Sequence, residues 1–267
     1  MDAGRFLPFW RALDELLERV EPTPWGAVVT DRRFPEIWDA NYARVEAAEP
    51  PTLAEIEAAL RPALARAGAR HLHVVLHRPD EQADLLAELS ARGDRLSWDV
   101  VMEHRGAPDG GGRRDPGPGG RTPLDPGVRV VEVEPDGAFW GTFRASLAAF
   151  GVTDPRALDQ IVALERDVFA PAKRWFAVRA GREIASLAAL VVLAGAGYVD
   201  HVVTFPEHRR RGHAGALVAR LVAEARAARC DPVFLLAEDG APAVRLYERL
   251  GFRAVGRIGS TLSPLSG

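Results

Sequence analysis

The chain holds a single cysteine, Cys230, among its 267 residues, so no disulfide can form within it. A large excess of either charge is also missing, because the formal net charge is only -3. Without such an excess, we expect no general attraction to nucleic acid or to an anionic membrane. The lack of a disulfide suits a reducing compartment, and we expect a cytoplasmic protein.

Long hydrophobic runs and lysine are scarce as well. The longest apolar run, residues 185–198, contains Gly195 and Gly197 and is too short to span a bilayer. No signal-peptide pattern follows the first residues. Lys173 is the only lysine among 34 basic residues, and we interpret this preference for arginine as coding bias rather than as mechanism.

The sequence does contain enough apolar material for buried cores, since 47% of its residues are hydrophobic and 27% are charged. Residues 106–127 are the exception, because glycine and proline dominate them and almost no large apolar side chain is present. Such a segment cannot offset its ordering entropy by burial. We therefore predict a linker over 106–127, between domains at 1–105 and 128–267.

The second part alternates strand and helix patterns, which predicts an α/β sheet with helices on its faces. The predicted strands cover residues 128–133, 175–180, 184–193, 197–205, 232–236 and 252–262. The predicted helices cover residues 139–150, 155–169, 212–228 and 241–250. Thr153 or Asp154 is suited to cap the second of these helices.

The first part has weaker patterns. The predicted helices cover residues 11–20, 52–67 and 81–91, and the predicted strands cover residues 26–30, 72–76 and 97–102. The segment 34–42 adds aromatic surface. Strand, helix and strand therefore follow one another over residues 72–102.

The most informative segment is residues 200–215, where a β-rich strand runs through Pro206 into an arginine-rich turn and then into a helix. Gly212 and Gly215 let the backbone approach a phosphate without a Cβ in the way. The first N–H groups of a helix have no intrahelical partner and, with the helix dipole, favour an anion. The alternative is a solvated basic turn before an ordinary helix.

This segment resembles motif A of the GNAT superfamily, the acyl-CoA-dependent N-acetyltransferases. The motif, Q/R-x-x-G-x-G/A between a strand and a helix, is R-R-R-G-H-A over residues 209–214. The resemblance implies that main-chain N–H groups hold the pyrophosphate of acetyl-CoA and that the preceding strand hydrogen-bonds the pantetheine. The cofactor-binding residues that it assigns are Val202, Val203, Thr204, Arg209, Arg210, Arg211, Gly212, His213, Ala214, Gly215 and Tyr247.

Residues 241–252 resemble motif B of the same superfamily, N-x-x-A-x-x-L-Y-x-x-x-G-F. The matching positions are Ala243, Leu246, Tyr247, Gly251 and Phe252. This tyrosine is the family's usual general acid, so the resemblance implies that Tyr247 protonates the departing thiolate. The alternative is a tyrosine that only packs its ring. Two departures are Gly240, where the family often has asparagine, and Pro242 in the first turn, where proline is tolerated.

An acceptor amine must lose a proton, so the site needs a base or a chain of water molecules. Asp200 and His201 lie on the strand before the turn, while Glu207 and His208 lie closer to it. Successive strand residues point to opposite faces, so we expect at most one of the first pair to face the cleft. We assign Asp200 to catalysis, with a surface carboxylate as the alternative.

The resemblance also implies the fold class: α/β, with a mixed, mostly antiparallel sheet of GNAT type and helices on both faces. Residues 72–102 resemble the closing portion of a GNAT domain without its motif residues. Our hypothesis is therefore a tandem protein with a degenerate first half and a catalytic second half. The alternative is an unrelated α/β domain that covers the acceptor site.

The predicted function is transfer of an acetyl group from acetyl-CoA to a primary amine, by direct attack in a ternary complex. The alternative is a non-catalytic acyl-CoA sensor that keeps the pocket without turnover. Nucleic-acid binding through the three arginines is disfavoured by the acidic net charge and the lack of interleaved aromatics. The expected partner is a small-molecule or peptide amine, with no nucleic acid, membrane or metal, in a monomer or homodimer.

Overall fold

The computed structural model describes residues 3–106 and 129–265. Its strands are β1 (Arg19–Thr23), β2 (Gly26–Thr30), β3 (Tyr42–Val45), β4 (His71–Leu76), β5 (Arg95–His104), β6 (Arg129–Val133), β7 (Lys173–Ala180), β8 (Glu183–Leu193), β9 (Ala196–Thr204), β10 (Val233–Glu238) and β11 (Phe252–Pro264). Its α-helices are α1 (Leu7–Asp14), α2 (Leu53–Ala67), α3 (Ala83–Ala91), α4 (Gly137–Ser146), α5 (Pro155–Leu164), α6 (His213–Ala227) and α7 (Pro242–Arg249). The predicted linker, apart from Gly106, lies outside the described residues.

All eleven of these strands join one sheet, in the order β1-β2-β3-β4-β11-β5-β10-β9-β8-β7-β6. Only two neighbouring pairs, β3 with β4 and β9 with β10, are parallel. The remaining neighbours are antiparallel. The predicted α/β class with a mixed, mostly antiparallel sheet is therefore confirmed.

The two halves of the chain exchange a strand at the centre of the sheet. β5, from the first half, lies between β10 and β11 and pairs antiparallel with both. β11, from the second half, lies between β5 and β4. Each half therefore completes the sheet of the other, a non-local pairing that local sequence patterns do not show.

The order of elements is repeated along the chain. The series β1-β2-β3-α2-β4-α3-β5 recurs as β7-β8-β9-α6-β10-α7-β11, with the parallel pair at the same place in each series. This repetition fits the hypothesis of a second, GNAT-like α/β unit in the first half. The domain boundaries drawn from the sequence stay a prediction.

Helices cover both faces of the sheet, as predicted. In the second half, α6 and α7 pack on one face, where Leu217 and Leu221 meet Phe252. The other face carries α1 through Phe9 and α4 through Phe143. The end of α5 crosses to the first half, where it packs against residues 34–42. The halves therefore share helices as well as strands.

Two strands of the first half, β1 and β3, were not predicted. The predicted helix over 11–20 ends at Asp14, and Arg19–Thr23 forms the edge strand β1, where Pro22 is tolerated. β3 is only four residues long and fully buried, so it shows no alternation to detect. No helix in the described residues is long and apolar enough to cross a membrane.

Candidate active site in a split of the sheet

A gap opens in the sheet between β9 and β10. Within the described residues, these two parallel strands pair only at Gly197 with Val233 and at Tyr198 with Phe234. Beyond this point β9 stays on β8 as far as Thr204, and β10 stays on β5 as far as Glu238. The strands therefore diverge, and an extended molecule can enter between them as an additional strand.

A β-bulge shapes the β9 side of the gap. Leu187 of β8 is opposite Val203, but Ala189 is opposite Asp200, so β9 has one extra residue there. His201 takes the strain with a φ of 50°. The bulge breaks the strand alternation, and both Asp200 and His201 lie on the face of Trp175. The strict alternation on which the expectation for the cleft was based is therefore interrupted here, and which of the two side chains faces the cleft stays a prediction.

The backbone of β9 beyond the bulge presents alternate residues to the gap. The N–H of Phe205 donates to Ala185 of β8, so Val202 and Thr204 direct their backbone groups toward β10. Val203 faces the other way, since its carbonyl accepts the Ser186 hydroxyl at 2.6 Å and its side chain is buried. Val203 is therefore removed from the set of residues expected to contact the coenzyme.

The predicted phosphate turn lies at the end of β9 and is exposed. Arg210 and Gly212 both have left-handed backbones, with φ of 63° and 79°, a feature of turns whose N–H groups form anion-binding concavities. α6 begins at His213 without a side-chain cap, and its first backbone bond runs from the Ala216 N–H to the Gly212 carbonyl. The N–H groups of Ala214 and Gly215 therefore have no intrahelical partner.

The arginines of the turn are not equivalent. Arg209 donates from Nε to the Thr204 carbonyl at 3.1 Å, so its side chain closes the turn. Arg210 and Arg211 are exposed, whereas the His213 ring is buried beneath them, 6.2 Å from the ring of His208. A groove of about 700 Å³ on the α4 side reaches Glu207 and His208, just before the turn, and Gly212 is itself exposed. The turn is therefore accessible rather than covered by protein.

The equivalent turn in the first half is filled by its own side chains. At the start of α2, Thr52 and Glu55 form a reciprocal capping box with N–H donors at 3.3 and 2.8 Å. Glu88 accepts the N–H of Leu53 at 3.0 Å. The carboxylates of Glu55 and Glu88 accept the N–H groups of Thr52 and Leu53, and the Thr52 hydroxyl accepts that of Glu55. Of the two repeats, only the second therefore has a helix start without side-chain caps in the described residues.

Tyr247 stands on α7, beside the first turn of α6. A Cβ built on Gly215 lies 3.8 Å from Leu246, the residue before Tyr247. The Tyr247 ring is buried against Phe252, and within the described residues its hydroxyl has no hydrogen-bond partner. Burial raises the pKa of Tyr247 to about 12, so the phenol keeps its proton at neutral pH. It is thus available as an acid.

This arrangement agrees with the match to a known family. Residues 139–252, from α4 to the start of β11, match the model of the acetyltransferase (GNAT) family. That segment contains the gap, the open turn and Tyr247. The second half of the chain therefore contains an acetyltransferase domain of the GNAT family.

Solved structures agree with a GNAT fold over the whole chain. A GCN5-related N-acetyltransferase from Kribbella flavida has a TM-score of 0.65 at 17% identity, covering 100% of this chain and 96% of that one. A functionally unknown protein from Staphylococcus epidermidis scores 0.63 at 13% identity, covering 90% and 91%. A tandem GNAT protein from the clavulanic acid biosynthesis pathway scores 0.53 at 14% identity, covering 80% and 70%. No curated protein sequence matches the chain.

The GNAT domain also contains a buried ion cluster that the sequence patterns do not indicate. The ammonium of Lys173, which is 3% exposed, lies 2.7 Å from Asp200 and 2.6 Å from Glu165. Burial by itself raises the pKa of Asp200, but the ammonium of Lys173 lowers it by more. The net pKa is therefore below its usual value, and this carboxylate stays ionised. Burial raises the pKa of Glu165, which is the more enclosed of the two.

Lys173 therefore has a defined set of structural partners, which the interpretation of the arginine preference as coding bias did not address. A single lysine at the start of an apolar strand was the only available signal. The sequence around Glu165 gave no such signal, because a charged residue in a predicted helix usually faces solvent. In the structure Glu165 begins a short π-helical turn, Glu165–Phe169. Their meeting depends on how α5 crosses β7.

His201 of the GNAT domain is neutral, and its protonated nitrogen can be assigned. The Ser146 hydroxyl lies 2.7 Å from the Phe143 carbonyl, which can only accept, so it donates there. Ser146 Oγ then accepts from Nε2 of His201 at 2.8 Å. Burial lowers the pKa of His201 to about 4. The unprotonated nitrogen is therefore Nδ1.

Cys230 is a packing residue. It is buried, and a Cβ on Gly197 would lie 3.2 Å from the Cβ of Cys230. Burial raises the pKa of the thiol, which disfavours the thiolate. Among the described residues, no group of histidine, cysteine and carboxylate side chains is placed to hold a metal ion.

Proposed function

We propose that this protein transfers an acetyl group from acetyl-CoA to a primary amine, in a ternary complex, at the gap between β9 and β10. The observation that carries the proposal is the continuity of three features: an open phosphate turn, a strand edge without a partner and a protonated tyrosine. The second half holds all three, and the first half has a filled turn in place of an open one.

The backbone supplies the binding groups. The left-handed backbones of Arg210 and Gly212, and the N–H groups of Ala214 and Gly215 that have no intrahelical partner, suit the two negative phosphates of a coenzyme A pyrophosphate. A glycine with a φ of 79° forms that site without strain. Along β9, the backbone of Val202 and the N–H of Thr204 suit the amides of a pantetheine arm.

When bound, acetyl-CoA supplies a thioester whose carbonyl carbon forms a bond to the amine nitrogen as its bond to sulfur breaks. Tyr247 donates its phenolic proton to the sulfur as negative charge develops there, and regains a proton from solvent. Asp200 stays ionised and accepts the proton that the amine loses, or holds the amine while solvent removes that proton. The products are an amide and a free thiol.

The coenzyme part of the proposal is tested by Gly212→Val, with Gly93→Val as the matched control. Both glycines have left-handed backbones, with φ of 79° and 87°, so a β-branched residue introduces similar strain at each. We expect Gly212→Val to raise the Kd for acetyl-CoA by about 10- to 100-fold, because one charge-assisted hydrogen bond is worth about 1.5–3 kcal/mol. Isothermal titration calorimetry measures the affinity.

Gly93 has no atom within 4 Å of a built Cβ and lies in the turn after α3, in the first half. Gly93→Val should therefore lower the melting temperature about as much as Gly212→Val while leaving the Kd within about twofold. An unchanged Kd in Gly212→Val, in a folded protein, would remove the phosphate turn from the proposal.

The role of Asp200 is tested against Glu165, since both carboxylates bind the same ammonium. Asp200→Asn and Glu165→Gln each remove one of the two negative charges that bind the Lys173 ammonium, so we expect comparable losses in the free energy of unfolding. Only Asp200 is expected to serve the amine, so kcat should fall about 100-fold in Asp200→Asn. In Glu165→Gln it should fall by a small factor. Equal losses of kcat in both would show that the cluster acts on structure alone.

Turnover distinguishes an enzyme from an acyl-CoA sensor. The assay mixes the full chain with acetyl-CoA and a panel of primary amines, and follows the released thiol. Amine-dependent thiol release at the rate of acetyl-amide formation supports the enzyme. Tight coenzyme binding without thiol release from any amine supports the sensor.

A further inference from the structure

Carboxylates gather on one face of the sheet around the gap. Asp99 of β5 is directly opposite Glu238 of β10, so their side chains lie on the same face. Val101, two residues after Asp99, packs with Phe9 of α1, which identifies that face. Asp200 follows two residues after Tyr198, whose ring lies 5.3 Å from the ring of Phe9. The three carboxylates therefore flank the gap on the α1 face.

A fourth carboxylate, Asp39, comes from the first half. It lies on the 3₁₀ turn Trp38–Ala40, and its side chain is 86% exposed. Beside it His73, whose side chain is 5% exposed, directs Nδ1 toward the Asp39 carboxylate at 4.0 Å without a hydrogen bond. A buried polar atom thus faces this carboxylate without a bond to it.

The carboxylates act on one another and on the phenol of Tyr198. Burial raises the pKa of Asp99, and Asp39 and Glu238 raise it further. Burial is also the largest cause of the raised pKa of Tyr198. Its neighbours raise that pKa further, in the order Asp200, Asp99, Asp39 and Tyr247. Lys173 already binds Asp200 and Glu165, and no arginine or lysine in the described residues forms an ion pair with Asp99 or Glu238. Asp99 and Glu238 therefore add negative charge to this face without a paired cation in the described residues.

Two exposed aromatic rings stand beside this acidic face. Trp38 and Phe150, at 44% and 54% exposure, are the exposed large hydrophobic residues of the described chain. Trp38 immediately precedes Asp39, and the Phe150 ring lies 4.9 Å from the ring of His201, next to Asp200. Aromatic faces beside carboxylates are a favourable environment for alkylammonium groups.

From this juxtaposition we propose that the acceptor is a flexible amine with at least two ammonium groups, a diamine or polyamine. The inference rests on the proposed acetyl transfer. One amine enters the gap, loses its proton and reacts at its nitrogen. The remaining ammonium groups stay charged and bind Asp39, Asp99 and Glu238, with Trp38 at the edge. An amino acid brings a carboxylate to the same face and is repelled.

The test uses three acceptors with the same six-carbon chain: 1,6-diaminohexane, hexylamine and 6-aminohexanoate. They present an ammonium, a methyl or a carboxylate group at the end away from the reacting amine. With the full chain and acetyl-CoA, we expect kcat/KM to be about fivefold higher for the diamine than for hexylamine, the equivalent of an ion pair worth about 1 kcal/mol. It should be lowest for 6-aminohexanoate, and the preference should weaken with added salt.

The variant Asp99→Asn/Glu238→Gln should bring the ratio of kcat/KM for the diamine over hexylamine close to one. Asp84→Asn, an exposed carboxylate on α3, changes the net charge without touching the gap and should keep the preference. If the double variant does not fold, the three acceptors still decide the question in the wild-type chain. Equal turnover of all three acceptors would overturn the inference and leave acetyl transfer standing.

Calorimetric titration of 1,6-diaminohexane into the chain separates the two proposals. Salt-sensitive binding that is lost in the double variant, without thiol release from any amine, supports the acidic acceptor face and rejects the transferase. No diamine binding together with acetylation of hexylamine rejects the acidic face and supports the transferase.

Discussion

Tyr247→Phe is expected to lower kcat by about 100- to 10,000-fold, the range that a positioned general acid contributes. Phenylalanine keeps the ring that packs against Phe252, so the fold and the coenzyme site should be retained. The Kd for acetyl-CoA should therefore stay within about threefold of wild type, which places the loss in the chemical step. Steady-state thiol release gives kcat, and calorimetry gives Kd.

The pH dependence provides a second check on Tyr247. Its pKa is raised to about 12 by burial, so the wild-type phenol remains protonated across any practical assay range. No fall in kcat from loss of this proton should appear until the pH approaches that value. A Tyr247→Phe variant that retains wild-type kcat would assign the proton to another donor and leave Tyr247 as a packing residue.

Lys173→Met should cause the largest loss of stability, about 3–5 kcal/mol in the free energy of unfolding, because it leaves two enclosed carboxylates without their cation. The neighbouring Arg174 is the matched control. Its side chain is 41% exposed, like its partner Glu132 at 42%, so Arg174→Met should cost about 1 kcal/mol or less. Urea unfolding measures both variants.

The sign of the pH dependence follows from the missing ammonium. In Lys173→Met, burial raises the folded-state pKa of Glu165 and Asp200 above their unfolded values. The resulting penalty is present at neutral pH and disappears as both become protonated at lower pH. The difference in the free energy of unfolding between Lys173→Met and wild type should therefore become smaller as the pH falls. Adding Glu165→Gln should restore part of the stability, and equal costs for Lys173→Met and Arg174→Met would show that the cluster contributes little.

Local patterns predicted much of the second half. The helix α6 follows from apolar spacing and ends within one residue of the prediction. Asp154 caps α5 through the N–H groups of Arg156 and Ala157, one of the two caps proposed. These features depend on residues that are near one another in sequence, which is why periodicity and capping rules find them.

The exposed turn with Gly212 was also predictable, since its left-handed backbone and uncapped helix start depend on a short motif. The bulge at His201 was not, because it depends on a register between β8 and β9 that neither strand shows alone. That register decides the direction of Val203. A motif thus identified the segment but not which of its residues face the gap.

The acidic acceptor face was beyond any local pattern. Asp99 belongs to a strand of the first half that lies against β10 only because the halves exchange strands. Asp39 reaches the same face because α5 packs on residues 34–42. Neither long-range contact has a sequence signal in a single chain. The first half therefore contributes two of the carboxylates of the proposed acceptor face, Asp39 and Asp99.

The exchange of β5 and β11 has a consequence for biosynthesis. A ribosome makes β4 long before β11, so the nascent first half presents a bare sheet edge until residues 252–264 have emerged. Most two-part proteins finish one part before starting the next. Here the sheet of the first half stays incomplete until β11 of the second half has been made. The chain should therefore depend on chaperone protection for most of its translation.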